Sequence, residues 1–498
     1  MDFDFSRFVR LPLDEAYVRY LIEEEMPDRA LVFRRLWGYY RNELDGLAGD
    51  RLSSASDDWA EVARPYVQEQ EFGLPARITG VGRLGYGATT SGGEQIRRKE
   101  VVIENDIGWR IDTGVHYLFG QSPRLVSLCA DAARARRIEQ TLQAVYDANG
   151  GVALWQEAAL LGAVFGFVDL VVRPQAGLLR HDERWFIADR DGRREVDPLT
   201  AVHVEPIEAG RAAPVLNEDD YRRLDAYVLH YTKLLNRVSP HALFERVGHQ
   251  AVCDATEILG ADWWQYYEDG LLAAEGPNVL GRVPVVHIQN LPMPGNYEGA
   301  GEVEPLIPLQ DELNTRLSDR ATRVTFQSFK MYLGRGIENF ENRPIAPGRM
   351  WATDNPDASI EAFGGDAESP SEDAHIAQLR EALDKTSGIT PLAAGLLRDR
   401  LGRLTSATAL RVTLMGTLAR LQRKQVTYGE GMMRLNEMVL DLLDRLGVLP
   451  TAPEERRTRI EWPNPLPDSR RDELQDAKVK LDLGVPRETV LRELGYDL

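Results

Sequence analysis

The longest helical pattern in this sequence runs from near Ser406 to Leu446, and it restricts the fold more than any other feature. At about 1.5 Å per residue, about 40 residues predict a helix of about 60 Å. A helix of that length does not fit a single ordinary core. Gly447 is placed to end it, because glycine readily adopts the left-handed conformation found after a helix. With 498 residues, the chain is long enough for two or more cores.

Two further helices are predicted before this one, at 304–329 and 371–387. In the first, apolar residues recur in steps of three and four, which is typical of one helical stripe. The second begins with Ser369 as N-cap, Pro370 in the first turn and Glu372 completing a capping box. Residues 330–370 between them show short strands and turns, and residues 350–373 hold seven acids and no bases. The stripe of the first helix consists of Leu306, Leu309, Leu313, Leu317, Ala321 and Val324.

The N-terminal 303 residues mix helices with strands. Residues 1–50 and 101–165 have helical spacing, whereas residues 50–100 show little periodicity and predict a long loop. "FVDLVVRP", "AYVLHYTKL" and "RVPVVHIQN" predict strands, and "RWFIADRDGRREV" predicts a hairpin that turns at Asp191-Gly192. Near the C-terminus, "RTRIEW" predicts a strand, and two short helices follow it. The fold class is therefore α+β with several domains.

Charge and composition exclude several classes of protein. The chain carries 78 acids against 59 bases, a net charge of −19, which argues against a surface that wraps nucleic acid tightly. It contains no apolar run of about 18–20 residues that could cross a membrane, and "MDFDFSRFVR" does not resemble a secretory signal. Cys129 and Cys253 cannot form a disulfide framework, so we expect a reducing compartment.

No pattern for catalysis or metal binding emerges. Gly80, Gly82 and Gly85 satisfy a dinucleotide fingerprint, but "YGATTSGGEQ" after them does not open the helix that this site needs. The histidines are scattered, the cysteines are far apart, and "DRDG" at 189–192 fits a hairpin turn better than a calcium loop. We expect no catalytic residue, cofactor or metal. A nucleotide-binding enzyme that uses Gly80–Gly85 stays open as an alternative.

A basic segment at 391–425 is the strongest remaining signal, with seven bases and one acid, Asp399. Because loops lie on surfaces and often carry function, the arginines at its start predict a ligand contact. The bases beyond residue 411 have a second interpretation, as partners of acids on neighbouring helices. Glu23–Glu25 predict a solvated helix face, and the aromatic string "DWWQYYED" predicts packing or a subunit contact. The loop residues that we single out are Gly395, Arg398, Arg400, Gly402 and Arg403.

Four strings, in order along the chain, resemble those of one family. "ENDIGWRIDTGVHYLFGQSP" is similar to a stretch with Asn105 before a helix and Gly120 and Pro123 after it. "LTSATALRVTLMGTLARLQRKQ", in which Thr408 departs from the common Ser-Gly pair, resembles the run after a mobile loop, and "IEWPNPLPDSRRDELQDAKVKLDLGVPRETVLRELGYD" resembles the tail. The fourth string begins at residue 282 and leads into the first long helix. The residues that carry its resemblance are Pro284, Asn290, Gly301, Asp311, Asn314 and Ser318.

The order of elements resembles the portal proteins of tailed bacteriophages, of the SPP1-like type, although Glu302 replaces the family's small polar residue. The resemblance implies a portal fold with an α/β wing, a helical stem hairpin, a small α/β clip, a tunnel loop with a long helix, and a short helical crown. It assigns these parts as follows: wing 1–303, first stem helix 304–329, clip 330–370, second stem helix 371–387, tunnel loop 388–405, long wing helix and returning strand 406–462, and crown 463–498.

The resemblance further implies a homo-oligomeric ring, usually of about twelve subunits, around a channel for double-stranded DNA. Gly395, Arg398, Arg400, Gly402 and Arg403 would then lie near the DNA. The stem stripe would pack on neighbouring subunits, because a two-helix hairpin cannot bury it alone. The expected clip residues that bind partners are Asp354, Asp357, Glu361, Asp366 and Glu368.

The partners implied by the resemblance are the large terminase, head-completion or adaptor proteins, and the major capsid and scaffold proteins, with no membrane. The implied location is the portal vertex of the virion, and the host cytoplasm during assembly. A cellular scaffold or adaptor oligomer without a nucleic acid partner is the alternative from a different class.

Overall fold

The computed structural model describes residues 3–9, 13–42, 102–182, 184–189, 192–238, 250–328, 331–335, 356–363, 370–394, 412, 414–465 and 470–493. The chain divides into two compact units. Unit 1 comprises Met1–Tyr40, Gly108–Glu304 and Gly388–Leu498, and unit 2 comprises Arg41–Ile107 and Pro305–Ser387. The described parts form a mixed α and β structure with several sheets.

Near the N-terminus, the first two α-helices form one continuous rod, with the π-helical turn Leu21–Glu25 between them. The buried face of that rod packs against the five-stranded sheet described below. The helices that belong wholly or mainly to unit 1 are α1 (Glu15–Tyr20), α2 (Met26–Arg41), α3 (Asp106–Phe119), α4 (Ala132–Ala148), α5 (Val152–Phe165), and, near the C-terminus, α8 (Met415–Arg445), α9 (Arg470–Asp482) and α10 (Arg487–Glu493).

The described strands of unit 1 pair antiparallel in four sheets. The sheets have the orders β11-β10-β9-β8-β7, β12-β2-β6, β3-β4-β5 and β1-β15. The strands are β1 (Arg124–Ser127), β2 (Phe167–Pro174), β3 (Leu178–His181), β4 (Arg184–Asp189), β5 (Gly192–Val196), β6 (Val202–Ile207), β7 (Ala212–Leu216), β8 (Leu224–Val238), β9 (Gln250–Gly260), β10 (Trp263–Glu268), β11 (Leu271–Pro277), β12 (Val285–Gln289) and β15 (Thr458–Glu461).

The five-stranded sheet lies between two apolar clusters. On one face, Val228 and Tyr267 pack with residues of the N-terminal segment and α1, such as Phe3 and Val18. On the other face, Tyr227 and neighbouring residues pack with the sheet that contains β2 and β12. Because successive side chains of a strand point to opposite faces, one strand such as β8 serves both clusters.

The described part of unit 2 contains two α-helices and a two-stranded sheet. The helix α6 (Ile307–Ser328) is followed by β13 (Met331–Arg335), β14 (Ser359–Phe363) and α7 (Pro370–Ser387). β13 and β14 pair antiparallel. The buried face of α7 carries Ile376, Leu379 and Leu383 at helical spacing.

Most of the predicted elements are confirmed. The strands β2, β8, β12 and β15, the β4–β5 hairpin, α6, the start of α7 at Pro370, and the two C-terminal helices lie where the sequence predicted them. The long helix is described from Met415 to Arg445, and Gly447 after it has a φ of 73°. Residues 405–411 of the predicted helix and loop, and the fingerprint at Gly80–Gly85, lie outside the described residues.

One prediction was wrong in detail: the region 101–165 is not wholly helical, because Arg124–Ser127 forms β1. That strand exists through pairing with β15, a partner more than 300 residues away. The string "DWWQYYED" forms β10, in which Tyr267 is buried. Cys129 and Cys253 are free. Among the described helices, none combines the length and the apolarity needed to span a bilayer. The described residues also hold no cluster of three metal-ligating side chains.

Candidate functional site

The five loop residues singled out from the sequence, Gly395, Arg398, Arg400, Gly402 and Arg403, lie outside the described residues. The structure does describe the residues on either side of that segment, 388–394 and 414–424, which we call the loop root. Both parts of the root belong to unit 1. Their contacts show how the two ends of the segment are held.

The first end of the root is held by polar contacts to its backbone carbonyls. Arg110, which is buried, donates from Nη1 to the Ile389 carbonyl at 2.5 Å, and the Tyr117 hydroxyl donates to the Ala393 carbonyl at 2.9 Å. Thr417 Oγ1 of α8 donates to the Gly388 carbonyl at 2.7 Å. Gly388 has a φ of 66°, a conformation that glycine adopts without strain.

The second end of the root is held by a buried ion pair. Lys424 Nζ lies 2.9 Å and Arg420 Nε 3.3 Å from Glu302 Oε1, and the Lys424 side chain is only 4% exposed. Burial raises the pKa of Glu302, but the charges and hydrogen bonds of Lys424 and Arg420 outweigh that effect, and the pKa lies below its ordinary value. Two bases of the basic segment thus share one acid within the chain, which agrees with the second interpretation of the residues beyond 411 except that Glu302 lies before a helix rather than on one.

The Glu302 carboxylate is positioned by a close crossing of two backbone segments. The Glu302 amide donates to the Ala163 carbonyl at 2.8 Å. A Cβ added at Gly166 would lie 2.2 Å from the Gly299 carbonyl oxygen, and one at Gly301 would lie 3.0 Å from the Val164 carbonyl. Because no side chain fits there, glycine lets the segment before Glu302 run directly over the end of α5.

A second buried polar group in unit 1 centres on Asp169. Its carboxylate accepts from the hydroxyls of Tyr227 at 2.9 Å and Tyr297 at 2.8 Å, and lies 2.7 Å from His287 Nδ1. His287 Nε2 lies 2.8 Å from the Tyr297 carbonyl, which can only accept a hydrogen bond, so Nε2 carries a proton. Burial and the Asp169 charge raise the pKa of both tyrosines. The group joins β2, β8, β12 and the segment after β12.

Unit 2 uses neutral hydrogen bonds instead. Gln310, Asn314 and Ser318 follow one another at intervals of four on α6, and all three are buried. Asn314 Oδ1 accepts from the Glu104 amide at 3.0 Å, Gln310 Nε2 donates to the Glu104 carbonyl at 2.6 Å, and Ser318 Oγ accepts from the Val102 amide at 3.0 Å. These three side chains replace a partner strand for residues 102–104, and we call them the amide ladder.

The residues predicted to pack between subunits differ in exposure. Leu306 and Leu313 are already buried within the single chain. Leu309 and Leu317 are half-buried, and Val324 is exposed. A role between subunits stays a prediction for all five residues.

The predicted partner-binding residues are described only in part. Asp357 is exposed, and Glu361 lies in β14 opposite Leu333 of β13. Asp354, Asp366 and Glu368 lie outside the described residues. Their role stays a prediction.

The comparisons with known proteins identify the family. Residues 188–495 match the model of the family described as phage portal protein, SPP1 Gp6-like. This match covers more than half of the chain, and the protein belongs to the SPP1-like phage portal protein family. No curated protein matches the chain.

Two solved structures are similar to the chain at low identity. One, described as "Virion of native gene transfer agent (GTA) particle", is 12% identical with a TM-score of 0.41, over 76% of this chain and 85% of that chain. The other, described as "Neck of empty GTA particle computed with C6 symmetry", is 12% identical with a TM-score of 0.42, over 77% of this chain and 90% of that chain.

Sequence reasoning missed several residues that hold the loop root. Arg110 and Tyr117 lie on α3 and have no local signal that points to residues 389–393. Gly166 and Gly299 could have been found, because a glycine after an apolar helix and a "GAGE" string are both places where a backbone approaches closely. Glu302 stood out in the sequence as a departure from the family, and its partners Arg420 and Lys424 explain how the chain tolerates it.

Proposed function

We propose that this chain forms a ring-shaped channel at one capsid vertex, through which double-stranded DNA is packaged and ejected. The observation that carries the proposal is the family match over residues 188–495, which includes the loop root, both helices of unit 2 and the C-terminal helices. In this proposal the chain has no catalytic role of its own. The large terminase supplies the energy for packaging.

The parts of the ring follow the order of elements. Residues 1–303 with 406–462 form the wing, the helices of 304–329 and 371–387 form the stem, residues 330–370 form the clip, and 463–498 form a short crown. The β13–β14 pair, which lies between the two helices of unit 2 along the chain, supports the assignment of the clip. The firmly held root supports the assignment of 388–405 as a loop that projects from a fixed base.

Charge explains how such a channel could pass DNA without binding it strongly. A net charge of −19 per chain gives a predominantly negative surface that repels phosphates. Arg398, Arg400 and Arg403 would add weak, salt-sensitive contacts at the loop, and Gly395 and Gly402 would let the loop change shape. Because Arg420 and Lys424 share the carboxylate of Glu302, part of the positive charge of this segment is compensated within the chain.

The proposed partners bind other surfaces. Terminase binds the clip during packaging and is replaced there by head-completion or adaptor proteins, with Asp354, Asp357, Glu361, Asp366 and Glu368 as contact residues. The major capsid and scaffold proteins surround the ring. The chain would therefore be found at the portal vertex of the virion and, during assembly, in the host cytoplasm.

The test combines ring assembly with DNA retention. The triple variant Arg398→Ala/Arg400→Ala/Arg403→Ala is expected to assemble like the wild type, in negative-stain images and mass photometry, but to alter the amount of packaged DNA retained. The variant Arg136→Ala/Arg137→Ala, which removes two exposed arginines of α4, is the control and is expected to change neither.

Two results would contradict the proposal. Loss of rings in the triple variant would assign the arginines to assembly rather than to DNA. A wild-type chain that forms no ring with a central hole would favour the scaffold or adaptor alternative, and nucleotide binding in calorimetry would favour the enzyme alternative.

A further inference from the structure

Unit 1 contains a pocket of about 690 Å³ beside the start of β8, and the ring assigns no role to it. Its lining includes apolar residues, Val285 and Met438 among them, beside polar and charged ones. The volume lies within the range of about 300–1,000 Å³ that is typical of ligand sites. A lining that combines apolar with charged side chains fits a side chain or a short segment of protein.

The charged side chains that line this pocket are mostly positive, in an otherwise acidic chain. Four arginines line it, against two acids, Asp225 and Glu437. Arginine recognises carboxylates well because its planar fork presents several donors at once. The four arginines are Arg222, Arg223, Arg282 and Arg434.

Arg282 keeps unused hydrogen-bonding capacity. It lies 3.8 Å from Glu437 and 3.6 Å from Asp441, and its buried Nε has no hydrogen-bond partner among the described residues. Asp441 is shared with other guanidinium groups, which lie closer to it. Arg434 is exposed and donates to the His287 carbonyl at 2.9 Å. An additional carboxylate in the pocket would give Arg282 a closer partner.

The other two arginines are presented by a loop that is organised in advance. Asn217 Oδ1 accepts from the amides of Asp219 and Asp220 at 3.1 Å, and Asp220 Oδ1 accepts from the Arg222 amide at 3.1 Å. Arg222 and Arg223 are exposed at the end of this loop. Because the backbone is already ordered, little entropy is lost when a partner binds there.

The same chain carries a surface with the complementary chemistry. The π-helical turn Leu21–Glu25 exposes Glu23 and Glu24, which have no ion-pair partner within the described ranges. Beside it, the rings of Tyr17 and Tyr20 are stacked at 6.4 Å and are 43% and 47% exposed. We call these four residues the acidic turn. π-helical turns are rare and occur frequently at functional sites, which argues against a merely solvated face.

We propose that the arginine-lined pocket receives the acidic turn of the neighbouring copy in the ring. When two different surfaces of identical chains bind each other, the contact is head-to-tail, and it closes into a ring when the rotation between subunits permits. The glutamates would meet the arginines of the pocket, and the exposed tyrosines would pack on its apolar residues. This inference rests on the ring of the proposed function and identifies one of its subunit interfaces.

Charge reversal in full-length protein tests the contact from both sides. Arg222→Glu/Arg223→Glu and, separately, Glu23→Arg/Glu24→Arg are each expected to raise the protein concentration needed for half-assembly by about tenfold or more, because like charges then face each other. Combining all four substitutions in one chain should restore assembly, since each interface again pairs acids with arginines. Mass photometry over a concentration series measures all of these.

The control is Arg136→Glu/Arg137→Glu, a reversal of two adjacent exposed arginines on α4 that should leave assembly unchanged. Thermal unfolding of the monomer, unchanged in each variant, would show that the fold is intact. If the wild type forms rings but neither reversal weakens assembly, or the combination does not restore it, this inference is overturned and the proposed function stands. A wild-type chain that never assembles would overturn both.

Discussion

The ion pair at Glu302 in unit 1 and the amide ladder of unit 2 perform similar tasks by different means. Each holds a segment that is distant in sequence against a long helix. Glu302 uses opposite charges that are almost completely removed from water. The ladder uses Gln310, Asn314 and Ser318, which are neutral and satisfy backbone groups of residues 102–104.

The difference shows how chemistry determines sensitivity. A buried charge that loses its partner is costly, because desolvation is then not compensated. A buried amide that loses its partner costs less, because an uncharged group has a smaller desolvation penalty than a charged one. We therefore expect the ion pair to respond to acid, and the ladder to be insensitive to it.

The largest effect is expected for Glu302→Gln. The substitution leaves Lys424 buried without a carboxylate and should lower the free energy of unfolding by about 3–5 kcal/mol in urea denaturation. Adding Lys424→Met should recover part of the loss, because the buried ammonium group is removed. Glu304→Gln, at an exposed position two residues away, is the control. A loss for Glu302→Gln no larger than that of the control would contradict the role of the pair.

A smaller effect is expected for Asn314→Leu. It leaves the Glu104 amide without its acceptor and should cost about 1–3 kcal/mol, which hydrogen exchange of that amide and urea denaturation would both detect. The matched control is Gln378→Leu at an exposed position of α7. Equal stability of the two variants would show that the ladder does not hold the segment.

Acid should separate the two regions further. The pKa of Glu302 lies below its ordinary value of 4.5, so the stabilisation from its charge is fully present above that pH and is lost as the pH falls through the folded pKa. In pH-dependent unfolding, Glu302→Gln should therefore flatten the acid limb relative to the wild type, whereas Asn314→Leu should run parallel to it. A parallel curve for Glu302→Gln would contradict the lowered pKa.

The smallest effect is expected for Arg380→Gln, which removes an exposed ion pair with Glu104 at 2.8 Å. Surface pairs contribute about 0.2–1 kcal/mol to the free energy of unfolding. At 1 M salt the screening length falls to about 3 Å, so the difference in this free energy between the variant and the wild type, measured by urea denaturation, should vanish there. A loss of stability that persists in high salt would mean that Arg380 contributes through packing as well.

Local signals explain the elements that the sequence predicted well. Pro370 begins α7, Gly447 follows α8, and the alternation in "FVDLVVRP" forms β2, because helix ends and strand patterns depend on neighbouring residues. β1 was missed because "RLVS" is short and becomes a strand only by pairing with β15. The burial of Leu306 and Leu313 within the single chain was missed for the same reason, since it depends on distant segments.

The sequence by itself determined the class of the protein: its helices and strands in order, the acidic balance, the basic segment at 391–425, and the strings that resemble the portal family. Only the tertiary structure decided which polar residues meet. Asn314 and Glu104 are 210 residues apart and Glu302 and Arg420 are 118 apart, so no local pattern encodes either contact. Periodicity reports which face of an element is apolar, whereas the partner of a buried charge depends on how distant elements pack.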